Sequence, residues 1–329
     1  QKIFKIISNA SFSQSNGSLF TVNAIAPYKA FVEKNISIPR TLKVGLDAGN
    51  GTAGVVAVPV IKNLNCQVHD LYCDMDGTFP NHEADPTVAS NLNDLIKLIR
   101  EKSLDVGIAH DGDGDRIGVV DEKGNIVYGD KLIIIFAREI LSRKPGVTFI
   151  SDVKCSKTLF DDIEKHGGRA IMWKTGHSLI KQKMRLEKAE LAGELSGHMF
   201  FSDRFLGFDD AIYASCRLIE ILSKTGKRIS DLLSDVPQTY STPEIRVSCP
   251  DEKKFVVVAK VTDFFRQCHD VIDIDGVRVL FEDGWGLIRA SNTQPALVLR
   301  FEAMSEKRLA EIRELIESAL EKIKKDMSV

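Results

Sequence analysis

The sequence predicts two tandem α/β three-layer domains of similar topology, followed by a smaller α+β domain in which helices pack one sheet. Three observations carry this prediction. Strand-like apolar stretches alternate with helical periodicity from Thr41 to Ser223, the pattern of layered α/β domains. A strand that ends in Asp and passes through a polar turn into a helix occurs at Asp47 and again at Asp152, and a repeat at domain spacing suggests a duplicated fold. Beyond Pro237 the strands cluster and the helices flank them, as in α+β domains. The 329 residues suit two or three domains at roughly 100–150 residues each.

Composition excludes several classes. With 43% hydrophobic and 27% charged residues the chain is globular, neither disordered nor fibrous. Lys and Arg number 44 against 46 Asp and Glu. With no basic stripe, nucleic acid is not an expected partner. Apolar runs such as 132–137 fall far short of the roughly 20 residues of a membrane span. Six scattered cysteines without a CxxC pair fit a reducing cytoplasm better than a disulfide scaffold.

Each element follows in order. Residues 1–22 read as a short amphipathic helix carrying Ile3, Ile6 and Ile7, then a Ser/Asn/Gly connector. The first α/β domain spans 23–125. A strand over 42–46 closes on Asp47, and glycine-rich 48–52 leads into a helix to about Leu64. A strand over 68–72, a helix over 92–101 and a hairpin of 106–109 with 117–120 complete it. The second domain spans 126–237. Asp130 is expected to N-cap a helix over 131–142. Then come strand 148–151, helix 156–166, strand 169–173, helix 177–187 and a closing helix over 209–223. The third domain, 238–329, reads strand 242–247, helix 251–268, strands 271–273, 277–281, 286–289 and 297–302, and a charged amphipathic helix over 305–325.

Several loops carry chemistry. In His110-Asp111-Gly112-Asp113-Gly114-Asp115-Arg116, three carboxylates alternate with glycines after an apolar strand. Short side chains on a flexible backbone can converge, and converging like charges need a cation; oxygen donors select Mg²⁺ or Ca²⁺. A solvated turn is the plainer reading. Asp111, Asp113, Asp115 and Glu122 also match the spacing of an EF-hand, but Arg116 replaces its essential Gly and strands flank the loop. Asp74-Met75-Asp76-Gly77-Thr78 matches the nucleophile loop of haloacid-dehalogenase-type phosphatases, with Asp74 as nucleophile. That is the runner-up enzyme reading.

Gly193-Glu194-Leu195-Ser196-Gly197-His198 offers donors, acceptors and close backbone approach to a vicinal diol, although a capped turn explains it too. Arg289-Ala290-Ser291-Asn292-Thr293-Gln294-Pro295 offers a guanidinium fork and hydroxyls to a phosphate. Lys174-Thr175-Gly176-His177 opens a helix and could face an anion. Lys154 ends the preceding strand.

Three of these loops in chain order, DGDGDR (111–116), GELSGH (193–198) and RASNTQP (289–295), resemble the α-D-phosphohexomutase superfamily, and within it the bacterial phosphomannomutase/phosphoglucomutase branch. The resemblance extends to the connectors LDAGNGTAG (46–54), DGTFPNHEADP (76–86), DVKCS (152–156), MWKTGHSLIK (172–181) and GWGLIRASNT (284–293). Leu195 stands where the phosphoglucosamine branch usually has Gln, and Asn292 where it usually has Gly. Both favour the mannose/glucose branch, and the DGT connector weakens the dehalogenase reading.

The resemblance implies four domains around one cleft. Asp111, Asp113 and Asp115 would hold Mg²⁺ together with a phosphoserine, and Arg116 would lie beside that phosphoryl group. Glu194, Ser196 and His198, with Leu195 and Gly197 in the same loop, would meet sugar hydroxyls. Arg289, Ser291, Asn292 and Thr293, with Ala290, would hold the phosphate not being transferred. Lys154 and His177 would contact the ligand and assist proton transfer. The implied reaction interconverts hexose 1-phosphate and hexose 6-phosphate of mannose or glucose, with hexose 1,6-bisphosphate as intermediate and activator. A cytoplasmic monomer is implied. In the family the serine sits in a loop of the type Thr-Ala-Ser-His-Asn-Pro, and no Ser precedes His in this chain. The chain is therefore expected to represent the second to fourth domains, with the phosphoserine domain as its missing partner, and to be inactive alone. A non-catalytic sugar-phosphate-binding protein derived from a mutase is the alternative from another class.

Overall fold

A computed structural model describes residues 2–327. The first sheet contains β1 (Lys43–Asp47), β2 (Gln67–Leu71), β3 (Val106–His110), β4 (Ile117–Val120) and β5 (Ile126–Val127) in the order β2-β1-β3-β4-β5. The pairs β1–β2 and β1–β3 are parallel, whereas β3–β4 and β4–β5 are antiparallel. The second sheet contains β6 (Thr148–Asp152), β7 (Arg169–Trp173), β8 (Leu191–Gly193) and β9 (Met199–Phe201) in the order β7-β6-β8-β9. Its pairings repeat those of the first: parallel, parallel, antiparallel. The strand directions thus agree with a duplicated fold. β5 lies just past residue 125, where the sequence places the domain boundary, and it pairs with β4.

The closing helix of the second unit is Ala211–Thr225. It is buried almost all round, and it packs against β3, β4 and β9 and against the helices Gly54–Asn63 and Gly129–Arg143. One continuous apolar core consequently runs from Val32 and Leu42 through Phe136 to Leu218. A helix buried nearly all round must be covered on both sides.

Two local expectations need correction. Tyr128, not Asp130, occupies the N-cap of helix Gly129–Arg143. Asp130 lies in the first turn and its carboxylate accepts the Ser156 N–H, tying the helix to the turn after β6. The predicted strand 242–247 divides into β10 (Tyr240–Ser241) and β11 (Ile245–Ser248), both pairing with one neighbour.

That neighbour belongs to the antiparallel sheet of the C-terminal domain: β12 (Val271–Ile272), β13 (Val277–Phe281), β14 (Gly284–Ala290) and β15 (Ala296–Ala303), ordered β10-β15-β14-β13-β12. Helices Asp251–Arg266 and Glu306–Asp326 pack on the sheet and on each other. The two-residue strand period divides β14 and β15 between faces. Ile288, Leu299, Phe301 and Ala303 enter the core under the helices. Trp285 and Leu287 face the other way and pack with Val153 of the middle domain. Arg278, Arg289, Arg300 and Glu302 share the phase of Trp285 and Leu287 by register. Ion-bearing residues are thereby concentrated on the face that meets the middle domain.

Candidate active site

The two duplicated hairpins carry the first two loops. Asp111–Arg116 joins β3 to β4, and Glu194–His198 joins β8 to β9. They meet at a bridge between Arg116 and His198, with Ile117 N–H donating to the Gly197 carbonyl. Gly197 is required there: its φ is +100°, and a Cβ would lie 2.3 Å from the Ile117 carbonyl oxygen.

Asp111 organises the acidic loop. Its Oδ1 accepts the N–H groups of Gly114, Asp115 and Arg116 at 3.0–3.1 Å, and its Oδ2 accepts Arg116 Nε at 2.7 Å. Burial pushes the Asp111 carboxyl pKa up against these contacts. Arg116 reaches on to Asp85 at 2.9 Å. Oxygen atoms of Asp111, Asp113 and Asp115 lie within 4.8 Å of one another, close enough to hold one metal ion. The all-oxygen donor set suits a hard cation. The flanking strands deny the EF-hand geometry, and Glu122 pairs with Ser230 outside the loop.

His198 links the acidic loop to the hydroxyl-binding loop. Its Nε2 lies 3.3 Å from Asp115 and its Nδ1 2.8 Å from Glu194. Burial alone would lower its pKa, but these two carboxylates outweigh burial and hold it at about 9. In the neighbouring group Asp115, His198 and Asp209, His198 pairs with Asp115 and Glu194, and Asp209 with His177 and Lys181. Burial would raise the Glu194 carboxyl, but the His198 contact outweighs it and holds that carboxyl low. Ser196 Oγ lies 3.0 Å from His198 Nδ1.

The 174–177 turn joins this group. Gly176 N–H donates to Glu194 at 2.6 Å, the His177 ring stacks near His198, and His177 and Lys181 both contact Asp209. Lys154 is buried and paired with Glu244 at 2.7 Å and Asp152 at 3.6 Å. Burial would lower its pKa, but the two carboxylates raise it, so the amine stays charged.

Arg289 stands at the end of β14. Asp275 accepts its Nε at 3.0 Å and forms an ion pair with its Nη2 at the same distance. The Ser291 hydroxyl accepts the N–H groups of Thr293 and Gln294 and shapes the loop. Asn292 and Thr293 are exposed at its tip.

The structure does not bring every predicted side chain to the cleft. Ala290 belongs to the C-terminal core, opposite in phase to Arg289, and Leu195 packs on the shared α/β core; each can offer a ligand its backbone alone. Asp74 lies in an exposed loop after β2, the edge strand of the first sheet. A dehalogenase nucleophile follows a fully buried strand, and β2 is half exposed, so that reading fails. Sequence reasoning assigned no role to Asp275 or Glu244, and none to Arg300, a buried cation whose Nε has no hydrogen-bond partner among the described residues. Asp275 and Glu244 meet cations 14 and 90 residues away, so no local pattern marks them.

Comparison with known proteins gives the family of the chain and of its fold. Family models for phosphoglucomutase/phosphomannomutase α/β/α domain II, α/β/α domain III and the C-terminal domain match residues 23–124, 128–240 and 244–319. A Pseudomonas putida phosphomannomutase/phosphoglucomutase is 47% identical over 316 residues, covering 96% of this chain and 68% of the relative. A phosphoglucomutase from Neisseria meningitidis serogroup A is 41% identical over 326 residues, covering 98% and 71%. A phosphoglucomutase/phosphomannomutase family protein from Burkholderia thailandensis superposes with a TM-score of 0.90 at 42% identity, over 98% of this chain and 69% of that one. Fold, loops and relatives together define a phosphohexomutase. The chain belongs to the phosphoglucomutase/phosphomannomutase family.

Proposed function

We propose that this site interconverts the 1- and 6-phosphates of a hexose, mannose or glucose, by phosphoryl transfer through a hexose 1,6-bisphosphate. The observation that carries the reading is one unbroken chain of polar contacts through all three loops. It runs from Asp111 and Arg116 through Asp115, His198 and Glu194 to Gly176 and Thr175, then to Asp275 and Arg289. Acidic, hydroxyl-binding and phosphate-binding groups thus stand along a single cleft.

Asp111, Asp113 and Asp115 would hold Mg²⁺, which neutralises charge on a phosphoryl group when bound. Arg116, fixed by Asp111 and Asp85, aims a permanent cation at the same place. Glu194 accepts from sugar hydroxyls, and the Ser196 hydroxyl, set beside His198, donates to them. Two hydroxyl grips of opposite sense suit a bisphosphate that must bind in two orientations. Arg289, Ser291, Asn292 and Thr293 hold the phosphate that stays. Lys154, kept charged by its carboxylates, serves as a donor toward the reacting oxygen, and His177 stands ready to pass a proton beside Asp209. Ligand closure by the C-terminal domain would exclude water.

The phosphoserine that donates the phosphoryl group is a further partner in this reading, and the protein is a cytoplasmic monomer. Among the described residues no helix is long and apolar enough to cross a membrane. Since the 329-residue chain contains no Ser-His pair, we expect it to bind glucose 6-phosphate without turnover. Titration followed by NMR, with a coupled mutase assay on the same sample, tests this. Turnover, or binding that survives Arg289→Ala and His198→Ala together, overturns the reading.

A further inference from the structure

We propose that Asp275 is a positioning residue that fixes the separation between the phosphate grip and the hydroxyl grip. The proposal rests on the site reading above. Asp275 Oδ2 accepts Arg289 Nε at 3.0 Å and pairs with Nη2 at the same distance, and the same oxygen accepts the backbone N–H of Thr175 at 3.1 Å. Arg289 belongs to the C-terminal sheet and Thr175 to the middle domain, so one carboxylate oxygen registers two domains.

The next amide along, Gly176 N–H, donates to Glu194 at 2.6 Å. Two adjacent backbone N–H groups therefore hold two carboxylates, one steering Arg289 and the other meeting sugar hydroxyls. The peptide between them acts as a spacer of fixed length. Because Asp275 engages the Nε edge of the guanidinium, Nη1 remains for a phosphate.

The turn bearing Asp275 is itself pinned. Gly276 has φ +83°, and a Cβ there would lie 2.3 Å from the Ile288 carbonyl oxygen and 2.7 Å from Arg289 Cα. On the other side Ile274 packs with Val153, Trp285 and Leu287. The carboxylate thus cannot drift from the arginine without moving the whole turn.

This arrangement separates ligands by size. A hexose phosphate touches both grips and depends on their spacing, whereas inorganic phosphate touches one. Asp275→Asn retains the side-chain shape, removes the charge and replaces one acceptor by a donor. We expect it to weaken glucose 6-phosphate binding about tenfold, the size of a lost charged hydrogen bond, while inorganic phosphate binds equally or more tightly beside a less neutralised Arg289. Asp275→Glu, which keeps the charge, should recover part of the glucose 6-phosphate affinity. NMR titration of the whole chain with each ligand reads both affinities. Equal weakening of both ligands, as from general loosening of the fold, overturns the proposal, and so does an unchanged glucose 6-phosphate affinity in the Asn variant. A native chain that binds neither ligand overturns the site reading and this proposal with it; a native chain that binds both leaves the site reading standing whichever way the variants fall.

Discussion

Arg116 and Asp111 show how much one residue pair can decide. Asp111 is almost fully enclosed, and its carboxylate accepts three loop N–H groups and Arg116 Nε. Asp111→Asn places an amide NH₂ against these donors and removes one metal oxygen. Mg²⁺ affinity should fall at least about tenfold, checked by calorimetric titration of both proteins. Asp203 is a structural counterpart outside the cleft. It is fully buried and accepts Arg217 at 2.9 Å and Arg143 at 2.7 Å. Burial would raise its carboxyl, but the Arg143 hydrogen bond, with Lys144 and Arg217, holds it well below the usual range. Its stabilisation is therefore complete above the ordinary carboxylate pKa and is lost only on acidification below it. Asp203→Asn takes from buried Arg217 one of its two hydrogen-bonded carboxylates, Glu139 being the other, and should cost about 3 kcal/mol in urea unfolding at pH 7.

At the scale of elements, the duplicated hairpins explain why two unrelated-looking loops converge. The same strand order places each loop at the same end of its sheet, and the bridge between Arg116 and His198 joins them. Gly197→Ala meets both the left-handed backbone and the Ile117 carbonyl, and should cost roughly 1–3 kcal/mol. It should also lower Mg²⁺ affinity, since it moves His198 and Asp115 together; thermal unfolding and metal titration check the two effects separately. Helix Ala211–Thr225 carries a pH response at its start. Asp210 caps it by accepting Tyr213 N–H and also accepts the hydroxyl of Tyr28 from helix Ile25–Asn35. Burial raises the Asp210 carboxyl from 3.8 to about 6. A carboxyl raised in the fold favours the folded state at low pH, and that advantage is lost as pH climbs through about 6. Asp210→Asn keeps the neutral form at every pH. Relative to the native protein, the variant should gain up to about 3 kcal/mol of stability between pH 4 and pH 7.5, read from urea unfolding at both pH values.

For the whole molecule, the contact between middle and C-terminal domains matters most. Arg278 donates to the carbonyls of Val153 and Cys155 at 2.8 Å and stacks 3.7 Å from the centre of the Trp285 ring. Trp285 Nε1 donates to Glu302, which also accepts Lys157 N–H. The interface combines a small apolar patch with many polar contacts, as in domain contacts able to move. Arg278→Leu removes the two carbonyl contacts while the separate cores remain. Limited proteolysis should then cut the segment between residues 233 and 244 several-fold faster at unchanged secondary structure measured by circular dichroism. Cleavage at the native rate would count against this contact as the main tie.

The sequence by itself determined the layered architecture, the repeat at Asp47 and Asp152, and the three loops, because each is written in residues close together. Strand alternation, helix periodicity and an Asp-Gly turn all act over a few positions, and strands 169–173 and 277–281 and helix 177–187 coincide with the observed elements. Other features were decided only in three dimensions. Asp130 turned from cap to tether because Ser156 folds against it. Ala290 left the cleft because β14 alternates its faces. Asp275, Glu244 and Asp85 gained meaning from cations 14, 90 and 31 residues away. A charge has no signature of its partner along the chain. Packing determines which cation it meets, and burial determines what that meeting does to its proton.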